Sequence, residues 1–92
     1  MPYEQMSDET LLERVGRCDQ AALAALYDRY AAAALAVATL VTGQRAAAGT
    51  VVEQLFWSVW RGEIVTDGRI RHHLMLGARQ LARGRVAFPL GG

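Results

Sequence analysis

Hydrophobic positions recur along this chain at three- and four-residue steps, the period of α-helices that bury one side. The first segment starts after Ser7, a good N-cap, with Asp8 and Glu9 where the helix dipole favours negative charge. Leu11, Leu12 and Val15 supply its apolar stripe, and Gly16 and Asp19 bracket its end. The second runs from Gln20 to Val41 behind Asp19 as N-cap, with Leu23, Leu26, Tyr27, Tyr30, Ala34, Val37, Ala38 and Val41 facing inward. Alanine fills much of its remaining surface, which lets neighbouring helices approach closely. Gly43, able to take positive φ, is a plausible stop. The third spans Arg45 to Arg61, with Val51, Val52, Leu55, Phe56, Val59 and Trp60 as a wide stripe, Trp57 near its edge and Gly62 after it.

After a connector, Asp67 reads as the N-cap of a fourth helix from Gly68 to Arg83. At about 100° per residue from Arg69, the residues Ile70, Leu74, Gly77, Ala78 and Leu81 fall between about 80° and 180°. Arg69, His72, Leu76, Arg79 and Arg83 fall between about 280° and 360°. The pattern predicts an all-α fold: a compact bundle of four helices over residues 7–85, with residues 1–6 and 86–92 as tails. Composition agrees, since 52% hydrophobic residues are enough for a core. Pro2 and Pro89 stand near the ends, leaving the interval free of the strongest helix breaker.

Charge changes the picture. Residues 1–60 carry four arginines against seven acids, whereas residues 61–92 carry six arginines against two, and no acid follows Asp67. The polar face of the fourth helix is therefore of one sign. Two readings stay open: a surface for a polyanion, or a solvated face in an arginine-rich chain. Enzyme chemistry finds little support. Asp8-Glu9 is explained by dipole compensation, Ser58 has no flanking elbow, and no glycine-rich phosphate loop occurs. Cys18 is the sole cysteine, and the adjacent His72 and His73 point about 100° apart on a helix, so neither a metal nor another cofactor is expected. The N-terminus lacks an export pattern, and the apolar run Ala31 to Val41 is about half a membrane span. A cytoplasmic protein without a membrane span is expected.

Three stretches resemble region 2 of the extracytoplasmic-function (ECF) sigma factors. Residues Ser7 to Val15 are similar to its opening, and Asp19 to Tyr30, ending in Tyr27-Asp28-Arg29-Tyr30, continue it. Val51-Val52-Glu53-Gln54-Leu55-Phe56, then Val59-Trp60-Arg61, resembles its polymerase-binding helix. Gly68-Arg69-Ile70-Arg71, then Leu74 and Ala78 to Ala82, resembles its promoter-reading helix. The resemblance implies a helical domain that docks on the clamp helices of core RNA polymerase and captures −10 promoter DNA. It assigns Val52, Glu53, Gln54 and Arg61 to polymerase, and Arg69, Arg71, His72, His73, Arg79, Gln80 and Arg83 to DNA. Gly49 and Thr50 stand where the family carries acids, His73 replaces its tryptophan, Gln80 its asparagine and Gly84 its aspartate. The connector is also shorter than usual, and no segment after Arg85 could form the family's second domain. Two functions are carried forward. One is a sigma region 2 module for transcription initiation. The other is a degenerate sigma-like domain that binds a regulator, an anti-sigma factor or itself.

Overall fold

Ser7 and Asp19 act as short polar side chains do at a helix start. Ser7 Oγ accepts from the Thr10 N–H at 3.1 Å. Asp19 Oδ1 accepts from the N–H groups of Ala21 and Ala22 at 3.0 and 3.2 Å. They open α1 (Asp8–Val15) and α2 (Gln20–Thr42), which α3 (Arg45–Trp60) and α4 (Ile70–Arg83) follow. A single 3-10 turn, Tyr3–Gln5, precedes α1. The computed structural model describes residues 2–64 and 68–85, and all regular structure among them is helical. The fold is the all-α bundle of four helices that the periodicity predicts.

The turns follow local chemistry. Gly43 ends α2 at φ +71°, its N–H donating to the Thr39 carbonyl at 2.8 Å. Between α1 and α2 the left-handed position falls on Cys18, at φ +64°, and not on a glycine. α4 starts later than expected. Gly68 takes φ +91°, which breaks the helical path, and Arg69 occupies the N-cap position without a side-chain capping bond. Asp67, the expected cap, lies outside the described residues, as do residues 86–92, read as a tail.

α2 is central and packs on α1, α3 and α4, while α3 and α4 also meet each other. Leu11, Leu26, Leu55 and Leu74 are fully buried where the four helices converge. Each such side chain contributes about 1.5–3 kcal/mol of burial. Toward the C-terminal end of α2 the core narrows to Ala38, Ala48, Val51 and Ala82, where methyl groups let three helices come close.

Two expectations need correction. Tyr27, assigned to the buried stripe, is exposed: it lies at the margin of the α2–α3 contact, its ring meeting Phe56 in an edge-type pair. The segment before α1, read as a tail, is anchored where it is described: Met6 is buried and Tyr3 packs against the same core. α2 also meets the length and composition of a membrane-crossing helix, with a mean hydropathy of 1.3 over 18 residues. The eleven-residue run seen in sequence is shorter because it stops at Asp28 and Arg29, which the longer window includes. Only 22% of that window is buried in the bundle, so much of α2 presents apolar surface outward.

Candidate nucleic-acid interface

α4 is seated by its small and aliphatic residues. Ile70, Leu74, Ala78 and Ala82 are buried, and Gly77 permits a close approach to α3. A Cβ at Gly77 would lie 2.8 Å from Leu55 Cδ1. With that side inward, Arg69, His72, Leu76, Arg79, Gln80 and Arg83 are exposed. The ion pairs among the described residues use Arg14, Arg17, Arg29 and Arg61; none uses an arginine of α4. A cationic stripe therefore follows α4 for about four turns. Beside it, Val37, Leu40 and Val41 of α2 and His72, Met75, Leu76 and Arg79 of α4 line an open groove of about 410 Å³.

The assigned DNA set does not hold together as one face. Arg71 lies about 200° around the helix from Arg69. It sits on the flank toward Tyr30, near enough for its charge to act on that phenol. His73 is half-buried, its ring edge-on to that of His72 with centroids 5.9 Å apart. Among the described residues no group of three or more His, Cys, Asp or Glu side chains could hold a metal ion.

The assigned polymerase set divides as well. Val52 is 4% exposed and belongs to the core, so it offers no surface to a partner. Its position in the apolar stripe is the reason, since α2 and α4 both cover that side of α3. Glu53 is exposed. Gln54 is half-buried, and its Oε1 accepts from Arg85 Nε at 3.3 Å. Arg61 is held by Glu63, Nε to Oε2 at 2.8 Å. That hydrogen bond lowers the Glu63 carboxyl below its ordinary range. Trp57, 57% exposed, stands beside Glu53 and Tyr27, whose ring meets Phe56 edge-on at 5.0 Å.

No protein-family model, curated protein or solved structure matches this chain. Its site must be read from its own geometry.

Sequence reasoning missed a network that joins the N-terminal segment and α1 to α2. Arg29 donates to Asp8 Oδ1 at 2.8 Å and to the carbonyls of Tyr3, Glu4 and Met6. Tyr30 donates its hydroxyl to the other oxygen of Asp8. Burial first, then that bond, raises the Tyr30 phenol above its usual range. Two residues of Tyr27-Asp28-Arg29-Tyr30 thus tie the N-terminal segment and α1 to α2. The partners are more than twenty residues apart, and no local spacing announces them.

Chemically, the α4 face offers guanidinium groups for phosphate oxygens and, in Leu76 and the groove, apolar surface for something flatter. The α3 edge offers a carboxylate beside two aromatic rings.

Proposed function

We propose that this chain is a sigma region 2-like module, acting by binding and not by catalysis in a cytoplasmic transcription-initiation complex. α4 meets the non-template strand of a −10 element through Arg69, His72, Arg79 and Arg83. The exposed α3 edge of Glu53 and Trp57 meets the polymerase clamp helices. The observation that carries this reading is the two-sided α4: an aliphatic side locked into the core, with exposed arginines opposite that make no ion pair among the described residues. The resemblance of three segments to ECF sigma factors supplies the ligand. Guanidinium groups along one helix face suit a single-stranded backbone, and an apolar neighbour suits an unstacked base. Titration of the labelled −10 single strand, and separately of a clamp-helix fragment, tests the two halves. Absence of single-strand binding at low salt would end the DNA assignment.

A second reading rests on a different observation. Trp57 and Tyr27 form an exposed aromatic edge, and the acids that the family carries at the start of α3 are replaced by Gly49 and Thr50. A degenerate sigma-like domain that binds a regulator or itself would use that edge as its anchor. Clamp-helix binding that vanishes in Trp57→Ala together with Glu53→Ala favours the polymerase reading over this one.

A further inference from the structure

The outward side of α2 carries no charge from Ala31 to Gly43, and Leu40 crowns it with 86% of its surface exposed. Leu40 is a ridge between two concavities. On one side lies the groove of about 410 Å³ toward α4, floored by Val37 and Leu76 and edged by His72 and Arg79. On the other lies a shallower groove of about 430 Å³ that also takes in Leu35 and Ala36 and ends at Arg45. Neither groove is lined by a carboxylate.

We infer that this strip is the docking site of an amphipathic helix from a partner protein, one that carries leucine-like anchors on its inner side and acidic residues on both flanks. Three features select that occupant. The ridge with a groove on each side fits the i, i+3, i+7 anchors of a helix laid along α2. A flat bilayer would touch the ridge and leave both grooves unfilled. The cations at the outer edges, Arg45 on one flank and Arg79 on the other, complement acids placed beside the anchors. A second copy joined by a two-fold axis would bring the same uncompensated cations to the contact, with no acid on the strip to oppose them. The aliphatic floor gives phosphate no donor, so a nucleic-acid strand would use only the α4 edge of the first groove and leave the second unfilled. The inference shares the α4 edge of the first groove with the promoter reading but does not depend on that reading.

The test uses the full chain and two designed helical peptides of about 18 residues. Both carry leucines at the anchor positions, one with glutamates on the flanks and the other with lysines. Calorimetric titration should give binding of the glutamate peptide and at least about tenfold weaker binding of the lysine peptide. Amide shift changes should centre on Leu40 and Leu76. Leu40→Ser, at an exposed site, should melt like the parent and lose at least about tenfold in affinity for the glutamate peptide. Leu76→Ser serves as a second variant with the same expectation. Equal binding of the two peptides, or full retention by both serine variants, overturns the proposal. So does concentration-dependent dimerisation that Leu40→Ser abolishes while neither peptide binds. Binding to phosphatidylglycerol vesicles with no binding of the glutamate peptide overturns it in favour of a membrane surface.

Discussion

Arg29 satisfies three backbone carbonyls and a carboxylate at once, and through them it ties the segment before α1 to α2. Asp19 works in a similar way at the next turn: it caps α2 and accepts from the Tyr3 hydroxyl at 2.6 Å. The Tyr3 bond first, then the N–H groups of Ala22 and Ala21, holds the Asp19 carboxyl below its ordinary value of 3.8. The same bond raises Tyr3 above 10.0. A carboxyl lowered by folding lends stability that is complete above its unfolded value and is lost as pH falls through the folded one. A phenol raised by folding lends stability that is complete below 10.0 and is lost as pH rises through the folded value. Urea midpoints from about pH 2 to pH 7 should therefore fall on the acid side of 3.8, and Asp19→Asn should flatten that fall. An unchanged acid limb in Asp19→Asn would refute the assignment. Gly49 gives a prediction of opposite sign. It lies inside α3, and a Cβ there meets nothing within 4 Å. Gly49→Ala should stabilise the fold by about 0.5–1 kcal/mol in thermal or chemical unfolding.

At the scale of the element, α4 was the most legible helix, and the proposed DNA contacts fall on it. Periodicity placed its aliphatic and cationic sides correctly because both arise from the same local geometry. Its start was read two residues early because positive φ at Gly68 is not visible from composition. Arg71 was grouped with the other arginines although it projects toward the α2 flank. The grouping failed because a family motif says which residues recur and not which side of this helix they take. Under the proposed DNA reading, removing Arg79 and Arg83 should lower the salt dependence of single-strand binding. For Arg79→Ala/Arg83→Ala the slope of log affinity against log salt should flatten by about 1.4, at about 0.7 per phosphate contact. A folded double mutant with the parental slope would detach these residues from the DNA.

For the whole molecule, α2 decides the architecture by being narrow. Ala38 of α2, Ala48 of α3 and Ala82 of α4 are all fully buried at one end of the bundle. Methyl-sized side chains set the spacing of those helices, so added volume has nowhere to go. Ala38→Leu should cost about 1–3 kcal/mol. In a domain of this size that corresponds to a melting temperature lower by several degrees. A variant that melts with the parent would show that this end of the bundle relaxes freely.

From sequence alone came the helical class, the caps at Ser7 and Asp19, the stop at Gly43 and the two-sided α4. All of these depend on neighbours within a turn or two, where propensity, capping and a 3.6-residue period act. Tertiary structure alone decided the rest. It exposed Tyr27, paired Arg29 and Tyr30 with Asp8, and left Leu40 standing between two grooves. Each of those outcomes depends on how closely distant helices approach, and a helical period carries no record of that distance.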